Sequence, residues 1–268
     1  MSERILRRSA LLAVALALSA CTVKQMLYPA PAYRVPSPPP APFAEAVWAL
    51  ADGTRIVGWA GDAAAAPGAP AVVFFHGNGE NLETMRLSGL YDELDRLGIA
   101  WLAVDYPGYG ASGGSPSEAA LVGAARGGFD ELARRFPGRP RMVCGWSLGA
   151  AVAVQLAAGR AAEVDGLMLL SPWTDLPSLA GEHFPGWIVS LLLRERYDSI
   201  GRAAELTLPV LVIHGADDRI IPAEHGRRLA AALPAADYLE VPGAGHNDLL
   251  ARGEVWRAMG AYLEEMTP

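Results

Sequence analysis

Cysteine is nearly absent: the 268-residue chain holds Cys21 and Cys144 only, too few for a disulfide scaffold. Charged residues are sparse at 19% while 51% are apolar, so the low hydrophobicity and high charge density of a disordered chain are missing. Cations are in deficit. Lys plus Arg number 22 against 29 Asp plus Glu, a net charge of −7, which argues against a nucleic-acid binder. The sequence shows no HExxH, no Cys/His cluster with metal-ligand spacing, and no nucleotide or haem motif, so no cofactor or metal is expected. Nor is there a repeat with a period of roughly 20–50 residues. What is present leaves room for one large α/β domain, or two small ones, with a sizeable core.

Residues 1–20 read as a targeting segment. Arg4, Arg7 and Arg8 precede an uncharged run from Ser9 to Val23 that is 15 residues long, shorter than the roughly 20 a spanning helix needs. Its end, Leu18-Ser19-Ala20-Cys21, resembles the lipobox of bacterial lipoproteins, in which the cysteine is acylated and becomes the mature N-terminus. The alternative is an ordinary signal peptide with a chance cysteine. The resemblance implies a lipid anchor on Cys21 in the cell envelope. Thr22, standing where inner-membrane lipoproteins carry Asp, favours the outer membrane. Removing residues 1–20 takes away three arginines and one glutamate and moves the net charge from −7 to −9. An acidic body gains nothing from anionic lipid, so the anchor would have to hold it at the membrane. With Cys21 acylated, Cys144 would have no partner and no intrachain disulfide is expected.

Residues 29–42 contain seven prolines in fourteen positions. This favours extended polyproline II of about 3.1 Å per residue, roughly 40 Å in all, and reads as a stalk linking the anchor to a domain over 43–268. A strap lying on the domain surface is the alternative. Beyond it, Glu45–Leu50 and Arg55–Ala60 flank Ala51-Asp52-Gly53-Thr54, a hairpin signal. Unbroken apolar runs at Ala71–Phe75, Ile99–Val104, Arg141–Cys144, Gly166–Leu170 and Val210–Ile213 suit strands buried on both faces of a parallel sheet. Helical patterns lie between and after them, at Leu82–Leu97, Ser117–Phe136, Leu148–Gly159, Ala223–Leu233 and Asp248–Glu265. The alternation predicts an α/β fold with a mostly parallel sheet, whose ligands collect at the strands' carboxyl ends. Cys144, closing a buried strand, reads as a small core residue.

Gly145-Trp146-Ser147-Leu148-Gly149 fits G-x-S-x-G between a strand and a helix, where a sharp turn exposes a serine hydroxyl. Serine is a poor nucleophile at neutral pH and needs a base, itself oriented by an acid. His246, in the Gly-rich turn Pro242-Gly243-Ala244-Gly245-His246, falls at the same sheet edge. His76 and His214 close strands and look structural, while His183 and His225 look like surface positions. The acid is due after the preceding strand, where His214-Gly215-Ala216-Asp217-Asp218-Arg219-Ile220-Ile221-Pro222 supplies two candidates.

Together these segments resemble the α/β-hydrolase superfamily, in its chain order Ser, Asp, His. The match to the family's HG-x-x-D-x-x-V-P segment implies Asp218 as the acid and Asp217 as a solvated neighbour. The HG-x loop His76-Gly77-Asn78 implies an oxyanion donor at the Asn78 backbone N–H, with Leu148 N–H as the second. Asn81 in the same loop suits a helix N-cap. Asp105-Tyr106-Pro107-Gly108-Tyr109-Gly110-Ala111-Ser112 matches the family's loop after the next strand and is assigned a structural role.

Residues 172–205 leave room for a small cap only, with Trp173, Phe184, Trp187, Ile188 and Leu191-Leu192-Leu193 as its apolar content. It reads either as a cover over the site or as a helix packed on the sheet. FFHGNGEN, the cap and SLLLRERYDS are similar to a branch with bacterial lipoproteins and eukaryotic membrane-anchored acyl-protein thioesterases. That resemblance implies a serine hydrolase acting on a small ester or thioester with an apolar acyl group. Two alternatives stand: a prolyl-oligopeptidase-type serine peptidase, and a non-catalytic lipid-anchored envelope protein on a hydrolase fold.

Overall fold

A computed structural model describes residues 25–267 apart from 32 and 63. The targeting segment and Cys21 lie outside the described residues.

Eight strands form one sheet in the order β1-β2-β4-β3-β5-β6-β7-β8. They are β1 (Ala44–Ala49), β2 (Arg55–Gly61), β3 (Ala71–Phe75), β4 (Ala100–Val104), β5 (Arg141–Trp146), β6 (Gly166–Leu170), β7 (Val210–Gly215) and β8 (Ala236–Val241). β1 and β2 pair antiparallel, as do β2 and β4; every other pairing is parallel. The β1–β2 turn follows its residues: Gly53 takes φ +83° and the Asp52 carboxylate accepts the Thr54 N–H at 2.9 Å.

The central strands are apolar at every position because both faces are covered. Val73 and Phe75 of β3 join one core with α3 (Glu118–Arg135), α4 (Leu148–Gly159) and α8 (Ala223–Ala232). Val72 and Phe74 join the other, with α1 (Leu82–Leu87), α2 (Leu90–Arg96) and α9 (Gly253–Glu265). The period-2 alternation of a strand thus sends successive side chains to opposite layers. The expected helix over Leu82–Leu97 divides in two, since Gly89 at φ +81° cannot continue a right-handed helix. Similarly, the C-terminal pattern splits into a 3-10 turn at Leu249–Ala251 and α9. β8 is half-exposed, which is why its mixed residues form no apolar run.

Between β6 and β7 the chain builds the cap from α5 (Leu176–His183), α6 (Gly186–Leu192) and α7 (Ser199–Arg202). Asp175 caps α5 by accepting the Ser178 N–H, and Pro185 separates α5 from α6.

The proline-rich stretch follows the domain surface as a strap instead of standing off as a stalk. Tyr28 is buried and its hydroxyl pairs with that of Tyr197 at 2.9 Å. Asn81 Nδ2 donates to the Tyr33 carbonyl at 2.8 Å, and Val35 packs against the α1/α2/α9 core. Phe43 stacks on Trp59 and meets Tyr91 and Trp101 edge-on. Prolines pre-set an extended backbone that needs few hydrogen bonds, and the aromatic and branched residues between them supply the adhesion.

Candidate active site

The strand order reverses between β3 and β5, which lie side by side with Phe75 opposite Gly145. Loops leaving such a pair diverge and open a crevice at the carboxyl edge of the sheet. Ser147 sits there, between β5 and α4, at φ +55° and ψ −116°. A residue with a Cβ resists that conformation, so the surroundings must impose it. A Cβ on Gly145 would lie 2.1 Å from the Gly149 carbonyl oxygen, and one on Gly149 would lie 2.0 Å from that of Phe75. Only glycine lets β5, α4 and β3 approach this closely. The Ser147 N–H donates to the Leu170 carbonyl at 2.8 Å, fixing the turn to β6 as well.

His246 reaches the serine from the loop after β8. Its loop is tied to the one after β7: the Asp217 N–H donates to the Ala244 carbonyl and the Ala216 N–H to that of Val241, both at 2.9 Å. The Asp248 carboxylate closes the turn by accepting the Gly245 N–H at 2.7 Å. His246 also stacks on Trp146, with ring centroids 5.6 Å apart.

One hydrogen-bonded chain results. His246 Nε2 lies 3.0 Å from Ser147 Oγ, and His246 Nδ1 lies 2.7 Å from Asp218 Oδ2. All three residues are buried. Asp218 Oδ1 accepts the Ile220 and Ile221 N–H groups at 2.9 and 2.8 Å. Burial opposes ionisation of Asp218. Hydrogen bonds from His214 and His246, the electrostatic pull of the His246 ring and the Ile221 N–H outweigh it and hold the carboxyl well below the ordinary range. An ionised Asp218 accepts from Nδ1–H, which leaves Nε2 free to accept the serine proton. Asp217 is exposed beside it.

Asn78 and Leu148 line the same pocket as Ser147. Neither backbone N–H donates to a carbonyl in a turn or loop among the described residues. The Asn78 side chain pins its loop, its Nδ2 donating to the Leu27 carbonyl at 2.6 Å and its Oδ1 accepting from the Tyr109 hydroxyl at 2.7 Å. Asn81 caps α1 in a reciprocal box with Thr84. In the loop after β4, the buried Asp105 accepts the Leu82 and Ala111 N–H groups, bracing α1 against the glycine turn. Nearby, burial pushes the Glu80 carboxyl up, against the pull of His76, the Gly77 N–H and His246.

The pocket over Ser147 has a volume of about 260 Å³. Its walls are Met26, Leu27 and Tyr28 of the strap, Trp173, Leu176, Leu179 and Tyr197 of the cap, and Ile220 and Ile221 after β7. Asn78, Ser147, His246 and Asn247 bring polar side chains to it, and the Tyr28 and Tyr197 hydroxyls pair with each other. Sequence reading assigned the strap to a linker and missed this contribution; Tyr28, an aromatic beside the prolines, was the available signal. His225 departs from its surface assignment too. It is buried against Thr174, whose N–H and hydroxyl lie 3.3 and 2.9 Å from Nδ1, and burial lowers its pKa. Cys144 is buried with its thiol pushed up by desolvation. Among the described residues no cluster of three or more His, Cys, Asp or Glu is placed to hold a metal.

The geometry has counterparts in known proteins. Residues 67–200 match the family model described as serine aminopeptidase, S33, and residues 186–252 one described as alpha/beta hydrolase fold. An uncharacterized Mycobacterium tuberculosis protein is 40% identical over 200 residues, covering 74% of this chain and 70% of its own. Alpha/beta hydrolase domain-containing protein 17B of Homo sapiens is 33% identical over 199 residues, covering 73% and 64%. Among solved structures, a Pyrococcus furiosus esterase aligns with a TM-score of 0.70 at 18% identity, covering 89% of this chain and all of its own. Est1E from Butyrivibrio proteoclasticus, with bound ferulic acid, aligns at 0.64 and 18%, covering 80% and 96%. Sheet order, a serine on a clamped strand-to-helix turn and these matches agree: the chain belongs to the α/β-hydrolase superfamily and is a hydrolase.

Proposed function

We propose that this hydrolase cleaves carboxylic esters or thioesters of apolar acyl groups, using Ser147, His246 and Asp218. The observation that carries the reading is the relay from Ser147 Oγ through both nitrogens of His246 to Asp218, at 3.0 and 2.7 Å, beneath an apolar pocket. His246 Nε2 takes the hydroxyl proton as Oγ attacks the carbonyl carbon. The resulting oxyanion is met by the Leu148 and Asn78 N–H groups, with the positive end of α4 behind them. Nε2 then protonates the leaving alcohol or thiol as the C–O or C–S bond breaks, giving an acyl-Ser147 intermediate. Water, deprotonated by the same nitrogen, completes the cycle.

The pocket composition favours this reading over an aminopeptidase. An aminopeptidase must bind a charged amine, and among the described residues no carboxylate lines this pocket. An acyl chain needs only the apolar walls. The anchor belongs to the same proposal: a lipid on Cys21 would hold the enzyme at the bacterial envelope, on the outer membrane.

The test is turnover of short nitrophenyl esters and thioesters with covalent labelling by a fluorophosphonate. Wild-type protein is expected to label, and Ser147→Ala to lose labelling and about 10³-fold or more in turnover. Full activity in Ser147→Ala would end the reading. Mass analysis of the N-terminal peptide from envelope fractions checks for diacylation at Cys21.

A further inference from the structure

We propose that the rim of the active-site pocket is a membrane-docking collar, through which a long-chain acyl ester or thioester passes into the pocket directly from the bilayer. This rests on the anchored-hydrolase reading above and adds an orientation to it.

The first observation is where the membrane-seeking segment joins the domain. Met26 lines the pocket and is 62% exposed at its rim. The apolar run Ser9–Val23 ends three residues earlier, and Cys21 precedes Met26 by five. Five fully extended residues span at most about 18 Å. A domain of this length is roughly 45 Å across. No tether that short can start on the far side of the domain, so a bilayer holding Cys21 must lie against the pocket face.

The second observation is the distribution of exposed apolar side chains. Among the described residues eight large ones are exposed; two of them, Met26 and Ile220, line the pocket, and three more, Phe184, Trp187 and Leu191, follow one another in the cap, at the end of α5 and on α6. Ile220 lines the pocket opposite the strap. His183 Nε2 lies 3.1 Å from the Ile220 carbonyl oxygen, which ties the end of α5, and so Phe184, to the same rim. α6 follows and carries Trp187 and Leu191 four residues apart on one face, with Val189 turned inward and buried. An apolar collar led by an exposed tryptophan suits the headgroup boundary of a membrane, where that side chain concentrates. Grouping at a pocket mouth distinguishes it from the singly scattered apolar residues any surface carries. The body is acidic, so the contact is apolar and insensitive to salt and to anionic lipid.

Chemistry follows from orientation. An acyl chain entering from the bilayer moves from one apolar medium to another and never crosses water. A soluble short ester gains nothing from this route, so the two substrates report on different parts of the surface.

The experiment uses the mature protein acylated on Cys21, in phosphatidylcholine vesicles that contain a long-chain acyl thioester. A soluble short-chain nitrophenyl ester is assayed in parallel. Trp187→Ser/Leu191→Ser lies outside the pocket walls. It is expected to hold soluble-ester kcat/KM within about twofold and to cut vesicle turnover by about tenfold or more. Vesicles of brominated phosphatidylcholine are expected to quench a fluorescence component that Trp187→Phe removes. Unchanged vesicle turnover together with no quenching of Trp187 overturns the collar while leaving the hydrolase reading intact. Loss of the hydrolase reading looks different: Ser147→Ala would then keep soluble-ester activity. Quenching that persists in Cys21→Ser supports the collar as a contact that forms without the anchor.

Discussion

Replacing Asp218 by Asn tests the relay at its least visible member, because the change is nearly isosteric. Asp218 Oδ1 accepts two backbone N–H groups, from Ile220 and Ile221. An asparagine must keep its carbonyl oxygen there, and this forces its NH₂ group into the Oδ2 position, 2.7 Å from His246 Nδ1. Two donors cannot face each other. The His246 proton therefore moves to Nε2, which then donates to Ser147 Oγ and can no longer accept from it. A tautomer reversed in this way costs about 10⁴ in turnover in a serine protease, equivalent to about 5 kcal/mol of barrier. The same fall is expected here in kcat for a short nitrophenyl ester, with the circular-dichroism spectrum unchanged. Asp217→Asn, at an exposed position, is the control and should stay within about twofold. The reasoning is refuted if Asp218→Asn keeps more than about a tenth of wild-type kcat, or if Asp217→Asn is the variant that fails.

Four further outcomes follow from the packing and from the titrating groups. Gly149→Ala would drive a Cβ to 2.0 Å from the Phe75 carbonyl and should lower stability by about 3 kcal/mol with loss of activity. Gly181→Ala, with nothing within 4 Å on helix α5, should raise it by about 1 kcal/mol in urea unfolding. Ser171→Gly should raise the melting temperature by about 2–4 °C. That buried serine sits at φ +45° with no protein partner for its hydroxyl among the described residues, and calorimetry showing a fall would contradict the strain argument. Acid should destabilise the protein in two stages, because His225 and Asp218 both have folded pKa values below their unfolded ones, so the unfolded chain binds more protons. Stability present above each unfolded value is lost as pH falls, starting near pH 6.5 for His225 and near pH 4 for Asp218; His225→Gln should remove the first stage from the urea midpoint.

The sheet was readable because parallel strands covered on both sides carry unbroken apolar runs, and the Ser147 loop because its glycines answer to close approach. β8 gave no run, since this edge strand is incompletely covered on both faces: Asp237 is exposed on one, and Glu240 on the other is half-buried and pairs with Arg227 of α8. His225 was misjudged because burial of a helical residue depends on what packs above it, here Thr174 of the cap base, far away in sequence. The strap stood only as the alternative to a stalk, for a related reason. Proline content specifies an extended backbone but says nothing about whether that backbone lies on a surface. Adhesion comes from single residues, Tyr28, Val35 and Phe43, whose partners Tyr197, Tyr91 and Trp101 are distributed along the chain. Composition averages over such residues; geometry does not.

Strain follows the same geography as the chemistry. Three non-glycine residues among those described have positive φ: Ser147, Ser171 and Tyr197. Ser147 forms the elbow, Ser171 ends β6 at the same sheet edge, and Tyr197 forms a wall of the pocket. Each conformation costs on the order of 1–3 kcal/mol, so chance placement in a domain of modest stability would be selected against. Each is also held from outside. The Ser147 N–H is bound by Leu170, the Ser171 N–H by Ile213 and the Tyr197 hydroxyl by Tyr28. The third clamp comes from the strap, whose Leu27 carbonyl also pins Asn78. Detaching residues 25–28 would therefore release one wall of the pocket and the Asn78 loop together. The segment beside the proposed anchor is thereby a structural part of the site, so an anchor at Cys21 would couple where the protein is held to how its crevice is formed.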